Sequence, residues 1–263
     1  MKTKMIRPLI VAHRGSSSLA PENTLAAFKR AVDDGADGIE FDVRLAKDGV
    51  AVVFHDPTLN RTALRDGNVA NCTSAELGNI DVGSWFNKMA PRASKPEYSR
   101  QTVSSLAETL EFLKDFKGVV YIELKCKDSE AASLVAAVCA ACGESPLAGR
   151  IIVKSFKMAV IPRVRLLCPG LRTAALFAPK IMTILRKEKH LVKIAEEFGA
   201  NELSIHYSLA TQKLMEKAGD RGLPVTIWTA DHPRWVKRGV KLGLNAIITN
   251  NPSKLLAKRN EVL

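Results

Sequence analysis

Apolar residues recur along this chain in short unbroken runs, separated by longer stretches that are apolar on one face only. Leu9-Ile10-Val11-Ala12 is the first such run and reads as a fully buried strand delivering His13. Pro21-Glu22-Asn23-Thr24 then opens a helix that Asn23 or Thr24 can cap. Leu25, Phe28 and Val32 fall on one face of it, and Gly35 ends it. Residues 37–43 form the second strand. Lys47-Asp48-Gly49 signals a turn, and residues 50–54 read as a further strand ending at His55.

From residue 56 to about 102 the pattern breaks down, punctuated by Gly67, Gly78, Gly83, Pro91 and Pro96, with one short amphipathic piece at 74–77. A loop-rich insertion of this length in a compact domain usually serves as a functional lid or cap. Regularity then returns. Helices over 104–116, 129–142, 158–167, 183–198, 209–218, 233–242 and 252–258 alternate with strands over 119–124, 150–155, 171–177, 202–205, 224–228 and 246–248. Residues 9–13, 37–43 and these later strands make eight β/α units, with 50–54 as an extra strand. Such alternation predicts an α/β fold of parallel strands with helical crossovers. Eight units in a chain of 263 residues predict one TIM (β/α)8 barrel domain over 1–263, with an insertion at about 56–102. No G-x-G-x-x-G or G-x-x-x-x-G-K-[ST] follows a strand, which removes support for the common nucleotide-binding folds.

Composition adds bounds rather than detail. The chain is 46% hydrophobic and 25% charged, as expected of a globular protein that folds without staples. Its formal net charge of +12 favours an anionic partner such as a phosphate ester, a nucleic acid or an anionic lipid surface. The basic residues are dispersed, and the densest run, Arg186-Lys187-Glu188-Lys189-His190, reads as a solvated helix face. With no recognised module or aromatic-interleaved patch, a nucleic-acid partner is not expected. The five scattered cysteines argue against a disulfide framework, and Cys139 and Cys142 read as small buried residues of a helix. The basic start, Lys2, Lys4 and Arg7, precedes too short an apolar stretch for a signal peptide, and no run reaches the ~18 residues of a membrane span. The expected location is cytoplasmic, without membrane insertion.

The chemistry gathers at strand ends, where a barrel places its active site. Glu40 and Asp42 are two residues apart on one strand and therefore point to the same side. Three carboxylates at one mouth, Glu40, Asp42 and Glu123, are too costly to crowd without a cation. Their oxygen-only donor set calls for a hard divalent ion, Mg²⁺ or Ca²⁺. Arg14 and Lys125 supply positive charge suited to a phosphoryl group. His13 and His55, with an ordinary pKa of about 6.5, suit proton transfer near neutrality. Ser155 and Trp228 also project from strand ends, and of the remaining histidines only His206 ends a strand. A divalent ion, two imidazoles and a phosphate clamp point to cleavage of a phosphodiester.

The runs His13-Arg14-Gly15, Pro21-Glu22-Asn23-Thr24, Gly35-Ala36-Asp37, Glu40-Phe41-Asp42-Val43, Lys47-Asp48-Gly49 and His55-Asp56 resemble the glycerophosphodiester phosphodiesterase family. Leu59-x-Arg61-Thr62, Gly83-Ser84-Trp85-Phe86, Ile122-Glu123-Leu124-Lys125, Ser155-Phe156, Trp228-Thr229 and Ile248-Thr249-x-x-Pro252 continue the resemblance along nearly the whole chain. It implies a TIM-type barrel with a small insertion, and hydrolysis of glycerophosphodiesters to an alcohol and glycerol 3-phosphate. It further implies Glu40, Asp42 and Glu123 as metal ligands and His13 and His55 as the acid–base pair. Arg14, Lys125 and Ser155 are then phosphate or substrate contacts, and Trp228 walls the pocket. The sequence departs from the family at Val103-Ser104-Ser105-Leu106, at Asn250 where Asp is frequent, and at Asp231 where Asn is frequent. None of these departures is expected to touch the metal or acid–base set. Trp85, Phe86 and Met89 offer either an apolar rim for a lysophospholipid, giving a lysophospholipase D, or simply the insertion's own core. A non-catalytic anion-binding barrel and a metal-dependent sugar isomerase are the rivals from outside phosphodiester chemistry.

Overall fold

The computed structural model describes residues 7–182 and 188–263, and in it the apolar runs become nine strands among the described residues. They are β1 (Leu9–His13), β2 (Gly38–Leu45), β3 (Ala51–Val53), β4 (Val119–Leu124), β5 (Ile151–Ser155), β6 (Arg172–Phe177), β7 (Glu202–His206), β8 (Val225–Trp228) and β9 (Ala246–Thr249). All except β3 are parallel to their neighbours, in the order β1-β2-β4-β5-β6-β7-β8-β9, and β9 returns to pair with β1. This closed eight-stranded ring with intervening helices is the TIM barrel expected from the alternation. The extra strand β3 lies outside it, antiparallel to the end of β2 with Val43 opposite Val53.

The helices among the described residues are α1 (Leu25–Asp33), α2 (Asn60–Ala63), α3 (Ser74–Leu77), α4 (Ser84–Met89), α5 (Leu106–Phe112), α6 (Ala131–Gly143), α7 (Val160–Leu167), α8 (Glu188–Glu197), α9 (Gln212–Gly219), α10 (Arg234–Leu242) and α11 (Pro252–Val262). Thr24 caps α1, its hydroxyl accepting from the Ala27 amide, which frees Asn23 for another task. The face that α1 buries is Ala27, Phe28 and Ala31, whereas Val32 is 41% exposed, so the expected Leu25–Phe28–Val32 stripe is rotated. The helix expected over 104–116 is shortened to α5 by a Ser105–Glu108 capping box at its start. Residues 183–187 of the helix expected over 183–198, and with them Arg186 and Lys187 of the basic run, lie outside the described residues.

Residues 56–102 hold more structure than their broken pattern suggested: α2, α3, α4 and three 3₁₀ turns. Phe86 is 3% exposed and meets Trp85 and Tyr98 edge-on at 5.9 and 5.7 Å, so these aromatics form a local core against Ala20 and Ala27. Met89 alone of the proposed rim faces solvent, at 77% exposure.

The barrel interior is filled by Val11, Tyr121, Ile152, Ala174, Ala246 and Ile248. In-register neighbours of a parallel sheet point to the same side. The pairs His13↔Glu40, Asp42↔Glu123 and Glu123↔Lys154 therefore turn five ionisable side chains inward together. Four of these were expected from strand spacing, and Lys154 was not.

Candidate active site

The turn after β1 is built by backbone geometry that few sequences tolerate. Arg14 and Gly15 both have positive φ, 55° and 78°. A Cβ on Gly15 would stand 2.6 Å from backbone and side-chain carbon of Ala27, so only glycine lets the turn pack on α1. This turn places the Arg14 amide 3.2 Å from Glu40 Oε2 and aims its guanidinium at Asp42 (Nε to Oδ2, 3.0 Å) and Glu22 (2.7 Å). Asn23, also at positive φ (56°), holds Asp42 from both sides. Its Nδ2 donates to Asp42 Oδ2 at 3.0 Å and its Oδ1 accepts from the Asp42 amide at 3.2 Å.

Glu40, Asp42 and Glu123 are all buried, and one oxygen from each lies within 4.8 Å of the others. Glu40 Oε1, Asp42 Oδ1 and Glu123 Oε1 are buried beside ammonium groups without a directed hydrogen bond. Converging carboxylate oxygens left in that state fit a hard divalent cation, so these residues can hold one. Lys125 contacts Glu123 and lies 3.3 Å from Asp42 Oδ1, and Lys154 Nζ is 2.8 Å from Glu40 Oε1.

The electrostatics follow from these contacts. Burial raises the Asp42 carboxyl, but Arg14 and then Lys125 outweigh it and hold Asp42 far below the ordinary range. Burial likewise raises Glu40, and Lys154 and then His13 reverse the sign. Glu123 goes the other way: burial and the nearby Asp42 charge, only partly offset by Lys125, push it up to about 7.

His13 Nδ1 lies 2.6 Å from Asn250 Oδ1. The amide's orientation follows from its other contacts. Asp231 can only accept, and Asn250 Nδ2 donates to Asp231 Oδ2 at 2.8 Å. Asn250 Oδ1 then accepts from Ser17 Oγ at 2.9 Å and from His13 Nδ1–H. The neutral ring therefore carries its proton on Nδ1 and leaves Nε2 free, 3.9 Å from Glu40 Oε2. The departures at Asn250 and Asp231 thus do reach His13, one of the two histidines expected to form the acid–base pair, because β9 lies parallel beside β1 and Asn250 follows its end. Burial lowers the His13 pKa most, with Glu40 opposing.

His55 Nδ1 donates to Asp56 Oδ1 at 2.6 Å, and Arg44 Nε donates to the His55 carbonyl at 2.7 Å. Asp56 is gripped by Arg61 of α2 at 2.6 Å, and Arg61 makes a two-pronged contact with Glu22 at 2.7 and 2.8 Å. Glu22 returns to Arg14. One chain of alternating charges thus runs from His55 to Asp42 and ties the insertion to the barrel. Glu22, Asp56 and Arg61 stand inside the motifs quoted above, but neither spacing nor strand position assigns them a task, and Asn23 is marked there only as a candidate helix cap. Lys154 is detectable only through its register with Glu123.

At the rim, Trp228 meets Phe156 (5.6 Å) and His206 (5.4 Å) nearly perpendicular, and its indole Nε1 is buried with no hydrogen-bond partner. Lys125 Nζ sits 5.8 Å over the Phe156 ring. Ser155 is buried, its hydroxyl donating to the Leu124 carbonyl and accepting from the Lys157 amide. The barrel mouth thus unites His13, Arg14, Glu40, Asp42, Glu123, Lys125 and, through the ion-pair chain, His55. A groove of about 770 Å³ between α1, α5 and the insertion is lined by none of these residues.

Cys139 and Cys142 are buried on α6 with thiols that burial pushes up to about 12, as expected of inert packing residues. No helix among the described residues is long and apolar enough to cross a membrane.

Comparison with known proteins agrees with this geometry. The model of the glycerophosphoryl diester phosphodiesterase family matches residues 13–254. A glycerophosphodiester phosphodiesterase of Caldanaerobacter subterraneus is 31% identical over 251 residues, covering 95% of this chain and 97% of that one. Among solved structures, an Oleispira antarctica phosphodiesterase in complex with the product sn-glycerol-3-phosphate superposes with a TM-score of 0.85. It is 27% identical, with 96% of this chain and 97% of that one covered. A glycerophosphodiester phosphodiesterase of Agrobacterium tumefaciens gives a TM-score of 0.75 at 27% identity, over 95% of this chain and 99% of the other.

Proposed function

The chain belongs to the glycerophosphoryl diester phosphodiesterase family, and from that membership we propose that it hydrolyses water-soluble glycerophosphodiesters by cation-assisted histidine acid–base catalysis. The observation that carries this reading is the convergence of three buried carboxylates, two imidazoles and two mouth-facing cations, Arg14 and Lys125, on one barrel end. The Oleispira protein's product, sn-glycerol-3-phosphate, is the class of molecule such a site accommodates.

In this mechanism Glu40, Asp42 and Glu123 hold one Mg²⁺ or Ca²⁺. When bound, the ion neutralises charge developing on the phosphoryl oxygens. Arg14 and Lys125, 16% and 17% exposed, hold the phosphate from the mouth side. His13 Nε2 takes the proton from the nucleophile, either water or the glycerol 2-hydroxyl of the substrate. The new P–O bond forms as the bond to the alcohol breaks, and His55 Nε2 gives its proton to the departing alkoxide. The partners of the two rings support this division. Burial lowers the His55 pKa, and the Asp56 carboxylate on Nδ1–H opposes that fall and steadies the imidazolium, whereas the Asn250 amide holds neutral His13 with Nε2 free to accept a proton. Trp228 walls the pocket with Phe156, and Ser155 keeps the β5 loop in place. The aromatics of the insertion are taken up by its own core and so do not supply the rim a lysophospholipid would need, which favours soluble diesters.

The test is incubation with glycerophosphocholine and glycerophosphoethanolamine, with Mg²⁺, Ca²⁺ or excess chelator, and enzymatic detection of glycerol 3-phosphate. Release that needs a divalent ion is expected. No release under any condition would sink the reading, and faster turnover of a lysophospholipid would replace the substrate class.

A further inference from the structure

Lys154 has no assigned task, yet it is 2% exposed inside the barrel, where an uncompensated ammonium is very costly. Its Nζ is 2.8 Å from Glu40 Oε1 and 4.0 Å from Glu123 Oε2, and it lies 6.0 Å over the Tyr121 ring. It therefore contacts two of the three carboxylates from below, while Arg14 and Lys125 approach from the mouth. Three carboxylates thus face three cations. The two mouth-side cations are partly exposed and can turn to a phosphate. Lys154, buried behind them, stays on Glu40.

Resting on the cation-assisted reading above, we propose that Lys154 is a built-in counter-cation that shares Glu40 with the divalent ion and sets the ion's affinity. It balances the Glu40 charge and holds the carboxylate in place when the ion is absent. When the ion arrives, the fixed positive charge beside Glu40 weakens its binding, because unit charges a few ångströms apart in a protein interior repel by several kcal/mol at an effective dielectric of about 20. A purely structural ion pair would hold Glu40 equally well, but its removal would not tighten cation binding.

Calorimetric titration of chelator-treated protein with Ca²⁺ and with Mg²⁺ separates these cases. Lys154→Gln is expected to bind the ion roughly tenfold tighter or more, whereas Lys154→Arg, which keeps the charge, stays within about threefold of the parent. A Gln variant that binds as the parent does, or more weakly, overturns the proposal. If Lys154→Gln is insoluble in chelator, it is refolded in Ca²⁺ and its affinity read by competition with a calibrated chelator, where binding tighter than the parent's is expected and equal or weaker binding overturns the proposal. Failure to fold with or without the ion overturns it. Glu123→Gln serves as the control for the underlying reading. If the parent protein binds no ion, or binds it equally well without Glu123, the cation site itself is wrong. If the site behaves and only Lys154→Gln is silent, the inference about Lys154 alone fails.

Discussion

Glu123→Gln should stabilise the ion-free protein while abolishing its cation site. The Glu123 carboxyl is 6% exposed, beside Asp42, and is pushed up to about 7 from an ordinary 4.5. Between those values the folded chain holds a proton that the unfolded chain has lost. Stability therefore falls as pH rises from about 4.5 to 7, and it stays low above that. By pH 8 the ionised side chain costs roughly 3 kcal/mol relative to its neutral form, at about 1.4 kcal/mol per tenfold step. Glutamine mimics the neutral form, so in chelator at pH 8 the variant should melt about 6 °C higher. At pH 5 the native carboxyl is protonated and the gain should shrink below about 1 kcal/mol. Ca²⁺ should reverse the order at pH 8 once it is about a thousand times its Kd, where it adds about 4.1 kcal/mol to the parent only; at about a hundred times Kd the added ~2.7 kcal/mol should nearly cancel the variant's gain. Calorimetric melts at the two pH values, with chelator and with Ca²⁺, measure all of this. A variant less stable than its parent in chelator at pH 8, or a gain independent of pH, would refute the assignment of Glu123 as a strained ligand.

Three further outcomes follow from the site. His55→Ala should lower turnover by about 10²–10⁴, measured as glycerol 3-phosphate release, and unchanged turnover would remove it from proton transfer. Asn250→Leu should free His13 to exchange its ring proton between nitrogens. ¹⁵N NMR of the imidazoles at high pH should then show loss of the pure Nδ1–H form, and an unchanged spectrum would mean another group fixes the tautomer. Gly15→Ala, with φ at 78° and its new Cβ 2.6 Å from Ala27, should cost about 2–4 kcal/mol in denaturant unfolding, and a loss under 1 kcal/mol would show that the turn relaxes easily.

Local pattern alone determined the alternation of strands and helices, and through it the barrel. Strand position marked His13, Glu40, Asp42 and Glu123, because a period of two and a strand C-terminus are properties of a few consecutive residues. Tertiary structure decided what depends on distant segments meeting. Lys154 is an unremarkable lysine in an apolar run until register with Glu123 turns it inward onto Glu40. Asn23 looked like a helix cap until Thr24 took that role and Asp42 arrived from β2. Asn250 and Asp231 appeared remote from the chemistry, yet barrel closure sets β9 beside β1, and 237 positions along the chain become a 2.6 Å contact with His13. Arg61 and Glu22 meet 39 positions apart because the insertion folds over the mouth. Sequence thus named most of the groups that meet at the barrel mouth, and the fold alone specified how each is oriented, charged and neutralised, since those properties belong to pairs of residues that only the closed barrel brings together.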